Sequence, residues 1–185
     1  TSWNGLMIRG FADAGRILER PEYIEAGERA AAFILAEMQT EQGQLQRTYR
    51  SGQAKLTGYL DDYAFLVDGL LALHEATGKE DTAGGAFFFT SHGHEELIVR
   101  TKNAFDAVIP SGNSTSVRNL LHLAELTGDD TYRDRARQTL EIFSGYVERV
   151  PGNMTNMALA LGEFLGDGEP LALAQADGED KDGER

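Results

Sequence analysis

The sequence predicts an all-α protein assembled from repeated helical hairpins, and three observations point that way. Apolar residues recur at spacings of three to four along most of the chain, which is the period of one buried helix face. The stretches "LLALHEATG" (70–78) and "LLHLAELTG" (120–128) superimpose at an offset of 50, and an offset of 109 places Phe11, Ile17 and Tyr23 on Leu120, Leu126 and Tyr132. The breaks between periodic stretches carry Pro, Gly and Asp, the residues that start and stop helices.

The first unit, "LMIRGFADAGRILERPEYIEAGERAAAFILAEM", has apolar residues at Leu6, Met7, Phe11, Ala14, Ile17 and Leu18, then at Ile24, Ala31, Ile34, Leu35 and Met38. This predicts two amphipathic helices split at "ERPE", with Pro21 in a first helical turn. A more apolar helix follows over Tyr59 to Thr77, closed by Gly78 as a C-cap. After it comes only "KEDTA", so the second hairpin lacks a partner helix. "GGAFFFT" and "ELIVRTK" read as short extended strands around the polar turn "SHGHE". "NSTSVRNLLHLAELTG" and "DDTYRDRARQTLEIFSGYVERV" give the next hairpin, and a short helix covers about Asn153 to Leu165. A lone hairpin cannot bury its apolar face, so the units must stack as an open solenoid or a closed ring. A ring is preferred, because the helix at 59–77 is apolar on more than one face yet opens with Asp61 and Asp62, as lining a central cleft requires.

With 185 residues and 41% hydrophobic content, the chain is long enough for one soluble domain, set at 1–165. The last 20 residues, 166–185, carry seven acids against Lys181 and Arg185 and read as an acidic disordered tail. The formal charge of −13 and the lack of a basic run exclude nucleic acid as a partner. No apolar run approaches the roughly 20 residues that cross a bilayer, so no membrane span is expected and a cytoplasmic location is the default. The absence of cysteine excludes disulfides and thiolate chemistry. Nothing resembles a phosphate-binding loop or dinucleotide fingerprint, so no cofactor is expected. The two histidines of "HGH" lack the further ligands a metal needs, so no metal is expected either.

The chemistry-bearing segment is "RTKNAFDAVIPSGNS", 100–114. In an extended run Arg100 and Lys102 project from one face, Asp106 follows, and Ser111, Asn113 and Ser114 open a helix whose free N–H groups suit a cap or an oxyanion. Asp61 and Asp62 fit helix capping by position, and paired carboxylates also serve acid/base work on sugars. His92 and His94 lie beside Glu95 in a loop, where an imidazole can act as a base near neutral pH. His74 and His122, near helix C-termini, read as structural. Trp3 and Asn4, ahead of the first helix, offer a stacking ring and an amide, although a Trp packed under a helix entry is the commoner case.

Five stretches, "TSWNGLMIRGFADAGR", "LDDYAFLVDGLLALHEATG", "GGAFFFT", "HEELIVRTKNAFDAVIPSGNS" and "LLHLAELTGDDTYRDRA", resemble the C-terminal half of the YyaL-type, thioredoxin-domain-containing family, known in animals as spermatogenesis-associated protein 20. The resemblance implies a partial (α/α)6 toroid related to N-acylglucosamine 2-epimerases, cellobiose epimerases and six-hairpin glycosidases. It implies His94, Asp106 and Asp62 as catalytic groups of a sugar epimerase or isomerase. It also implies Trp3, Asn4, Asp61, Tyr63, Glu95, Arg100, Lys102, Ser111 and Asn113 as groups binding a carbohydrate-like ligand. The thioredoxin-like domain and the first toroid hairpins of the family are missing here, which implies a weakly active or inactive chain. The alternative is a non-catalytic interaction module. Open ends of such an array expose apolar flanks, which predicts a homodimer through the toroid edge.

Overall fold

The computed structural model describes residues 1–78 and 104–166. Their elements, in chain order, are α1 (Ser2–Ile17), α2 (Pro21–Glu37), β1 (Gln46–Arg50), β2 (Gln53–Thr57), α3 (Leu60–Thr77), α4 (Gly112–Thr127), α5 (Asp130–Arg149), a 3-10 turn (Pro151–Asn153) and α6 (Thr155–Gly166). The fold is mostly α with one small antiparallel sheet. Every helix read from the sequence within these residues is present. The strands expected in "GGAFFFT" and "ELIVRTK" and the acidic tail beyond Gly166 lie outside the described residues.

Local chemistry sets the helix ends. Pro21 occupies the first turn of α2, where its missing N–H costs nothing. Gly78 and Gly128 close α3 and α4 at φ 64 and 68, a left-handed conformation that disfavours residues with a Cβ. Ser111 caps α4 through its Oγ, which accepts from Ser114 N, and Asp129 caps α5 by accepting from Thr131 N. Those Thr131 bonds also hold the Asp129 carboxyl below its ordinary pKa.

Helices α1, α3, α4 and α6 lie side by side in that order, and all four run in the same direction. Ser2 meets Asp62 and Arg9 meets Asp68. Asp61 lies on Gly112 and Glu75 meets His122. Ser114 meets Asn156 and Arg118 meets Glu163. Helices α2 and α5, reached by short turns, cover one face of this row. Beneath α2, Ile34 and Ala31 join Ile8, Leu70 and Leu73 in one buried cluster. Beneath α5, Leu140 and Phe143 join Val117, Met157 and Phe164 in a second. Val67, Leu71 and Leu123 bury the seam between α3 and α4.

Glycine brings α1 and α3 together. A Cβ on Gly5 would stand 2.4 Å from the carbonyl carbon of Phe65, and one on Gly69 would stand 2.8 Å from the oxygen of Gly5. These backbones touch, so the row begins with an unusually close pair.

The segment between α2 and α3 forms a β-hairpin that the sequence reading does not anticipate. Strands β1 and β2 pair in the register Thr48 with Lys55 and Arg50 with Gln53. Ser51 and Gly52 turn the chain at φ 52 and 76, the two positive values of a type I′ turn. Tyr49 packs edge-on to Phe33 of α2, and the Tyr63 hydroxyl accepts from Leu45 N at 2.9 Å. Among the described residues no helix is long and apolar enough to cross a membrane.

Candidate functional site

Helix α3 is buried along most of its length, yet Asp61, Asp68 and Glu75 interrupt it at seven-residue intervals. Seven residues make nearly two full turns, so these three acids share one face. On the neighbouring helix, Ser111, Arg118, His122 and Glu125 fall on one face by the same spacing. The two polar stripes border a trough on the side of the row opposite α2 and α5, neither of which contributes a lining residue.

The trough has two hollows. At the N-terminal ends of α3 and α4, a mouth of about 250 Å³ is bordered by Tyr59, Asp61, Phe105, Ser111 and Asn113. Farther along, a second hollow of about 210 Å³ is bordered by Arg9, Asp68, Glu75, Arg118, Asn119 and His122, with Glu125 and Glu163 at its margin. Pockets for drug-sized ligands measure roughly 300–1,000 Å³, so each hollow is small by that standard.

In the second hollow an ion pair crosses each seam of the row. Arg9 Nη1 donates to Asp68 Oδ1 at 2.5 Å, and Arg9 Nε donates to Asp13 at 3.0 Å. His122 Nε2 lies 3.3 Å from Glu75 Oε1. Arg118 donates through Nε and Nη2 to Glu163 at 2.9 and 2.8 Å. Asn119 is buried and donates from Nδ2 to the Ala64 carbonyl at 2.8 Å, which fixes α4 against α3. Among the described residues these pairs hold the polar groups in place without closing the hollow over them.

Asp68 is the most enclosed of these charges, with 16% of its side chain exposed. Burial pushes its carboxyl above the ordinary aspartate pKa, and Arg9 offsets only part of that push. The folded state therefore keeps the Asp68 proton to a higher pH than the unfolded state does. Stability from this group is present in acid and lost as pH rises through the interval between the ordinary and raised values. Asp68→Asn is expected to flatten the pH dependence of the urea midpoint over that interval. An unchanged slope would assign it to another group.

The residues nominated from sequence divide into three sets. Asp61, Ser111 and Asn113 meet at the mouth, where the Asp61 carboxylate occupies the space a Cβ on Gly112 would need, 2.2 Å away. His94, Glu95, Arg100 and Lys102 lie outside the described residues, as does His92. The remaining nominees have other work. Asp62 is fully buried; its Oδ1 accepts from Ser2 N at 2.9 Å, and its Oδ2 accepts from Tyr59 N at 2.9 Å and Arg47 Nη1 at 3.0 Å. Asp106 accepts from Ser111 N at 3.0 Å and Asn156 N at 2.7 Å, joining the first turns of α4 and α6. Both carboxylates, nominated from sequence as catalytic, have both oxygens engaged as ties between elements, Asp62 with backbone N–H groups and Arg47, and Asp106 with backbone N–H groups. Tyr63 is turned toward the hairpin. Trp3 and Asn4 sit within the first turn of α1, not ahead of it, and Trp3 is 65% exposed, so neither borders the trough.

His122, read from sequence as a structural C-terminal histidine, pairs with Glu75 and also lines the trough. The signal for the missed groups is the seven-residue recurrence of acids inside an apolar helix, which matters only once α3 and α4 are known to be adjacent and parallel. Among the described residues no cluster of His, Asp and Glu has the arrangement of a metal site.

The chain is 33% identical to spermatogenesis-associated protein 20 of Rattus norvegicus, 32% to that of Homo sapiens and 31% to that of Mus musculus, in each case over 188 aligned residues and 86% of this chain. The chain belongs to the spermatogenesis-associated protein 20 family. It spans 24% of the length of these curated relatives. No family model matches it.

Proposed function

We propose that this part of the family is a carbohydrate-active-like toroid portion, related to sugar epimerases and isomerases, that binds a polyhydroxylated ligand in the trough. One observation carries the reading: a polar trough runs along four parallel helices whose other faces are apolar. Burying charged groups on such helices is costly unless they are paired. Ion pairs with room between them offer donors and acceptors side by side, which is what vicinal hydroxyls match. Tyr59 and Phe105, 55% and 44% exposed at the mouth, offer aromatic surface for the C–H side of a sugar ring. If the longer relatives continue the row with further hairpins of the same kind, the row would close into a ring.

An isomerase needs a group that removes and returns a proton beside a carbonyl, a step that consumes no other reactant. His122, paired with Glu75 across the α3–α4 seam, is placed to carry that proton.

Ligand-observed NMR with a panel of neutral aldoses, ketoses and cyclitols tests the reading. Binding is expected for at least one class, weakened about tenfold or more by Arg118→Ala, as loss of a charged hydrogen-bonding partner implies. Arg29→Ala, on the exposed side of α2, is expected to leave it unchanged. No binding across the panel, or equal binding by the Arg118 and Arg29 variants, would remove the proposal.

A further inference from the structure

Four carboxylates of the second hollow, Asp68, Glu75, Glu125 and Glu163, face two guanidinium groups, Arg9 and Arg118. With His122 neutral, the described walls therefore carry two negative charges more than positive ones. Both arginines are already engaged: Arg118 by both oxygens of Glu163, and Arg9 by Asp13 as well as Asp68. An incoming anion would have to displace a carboxylate that is covalently fixed in place. A cation meets no such competition.

Asp68 has the geometry to receive one. Its Oδ1 takes the Arg9 bond, while its Oδ2 accepts no hydrogen bond among the described residues. The Asp68 side chain is mostly buried, yet this oxygen is not one of the described buried atoms left without a partner, so it is open to the hollow. Burial is the main cause of the raised pKa of this group, and Arg9 and, to a smaller degree, Arg118 oppose it. Glu75, seven residues after Asp68 on α3, and Glu125, seven residues after Arg118 on α4, extend the negative lining.

We propose that the trough selects a polyol bearing an amino group, with the ammonium seated against Asp68 Oδ2, over neutral and phosphorylated sugars of the same size. This rests on the ligand-binding reading above and adds the substrate class to it. The ammonium donates to the free oxygen of Asp68 while Glu75 and Glu125 supply the surrounding field, and the ring hydroxyls reach the Arg118–Glu163 pair. A phosphate finds neither a free guanidinium nor a positive field among the described walls.

The test compares glucose, glucosamine and glucose 6-phosphate by ligand-observed NMR titration at a pH where the amine is protonated. Glucosamine is expected to bind about tenfold more tightly than glucose, the usual gain from one charge-assisted hydrogen bond in a partly buried site, and glucose 6-phosphate more weakly than glucose. In Asp68→Asn the ratio of glucosamine to glucose affinity is expected to fall to about one. Glu125→Gln, at an exposed position that folding tolerates, is expected to lower the ratio part of the way. Glucose binding with no preference for glucosamine would overturn this proposal and leave the polyol reading standing. A preference that survives both substitutions would overturn the assignment to this wall. Failure of all three sugars to bind would remove the polyol reading and this one with it.

Discussion

Gly5→Ala is expected to destabilise the chain by about 3 kcal/mol, the upper range for forcing a methyl group into a filled contact. The added carbon would lie 2.4 Å from the Phe65 carbonyl carbon and 2.6 Å from Leu66 N. Both are backbone atoms of α3, so no side chain can turn aside and the helices themselves must separate. Separation would also disturb the Ser2 to Asp62 bond and the Arg9 to Asp68 pair that flank the crossing. Gly10→Ala on the same helix is the control: nothing lies within 4 Å of its added carbon, and alanine is favoured over glycine in a helix by up to about 1 kcal/mol. The pair should therefore move urea midpoints in opposite directions at constant slope. Equal shifts would mean that α1 and α3 do not meet as described.

Asp62→Ala is the second large effect, a loss of about 3 kcal/mol. The carboxylate is fully buried and ties three segments at once: the first turn of α1 through Ser2 N, the start of α3 through Tyr59 N, and the hairpin through Arg47. Arg47 also stacks over Tyr59 at 4.7 Å, so its loss of a partner would loosen the mouth of the trough. For a chain of this size the loss corresponds to a fall in Tm of about 6–12 °C. Asn at this position keeps one acceptor oxygen and is expected to recover part of it. A variant as stable as the parent would return Asp62 to the pool of groups free for chemistry.

These effects indicate what was legible in the sequence. The α1–α2 break was readable because Pro21 punctuates a clear three-to-four period, and the ends of α3 and α4 because each is followed by glycine. The hairpin at 46–57 was not, since "QRTYRSGQAKLT" has few apolar residues and owes its position to Tyr63, Asp62 and Phe33 in other elements. At the site, Asp61, Ser111 and Asn113 were visible as polar residues crowded at helix starts. Asp62 and Asp106 were visible too, but acids at helix starts look alike whether they face a ligand or the backbone. Asp68, Glu75 and Arg118 escaped notice, and His122 read as structural, because each is ordinary on its own helix. Only the parallel alignment of α3 and α4 makes them neighbours.

That alignment also governs how the chain must fold. Helices that follow one another directly fall antiparallel, so neighbours in a parallel row are necessarily distant in sequence. Ser2 bonds to a residue 60 positions away, Asn119 to one 55 away, and Arg118 to one 45 away. Each such junction closes a long loop before any contact rewards it, which places the chain with slow, high contact-order folders despite its helical content. Hairpins such as α1–α2 and α4–α5 would form early, and their assembly side by side would set the refolding rate.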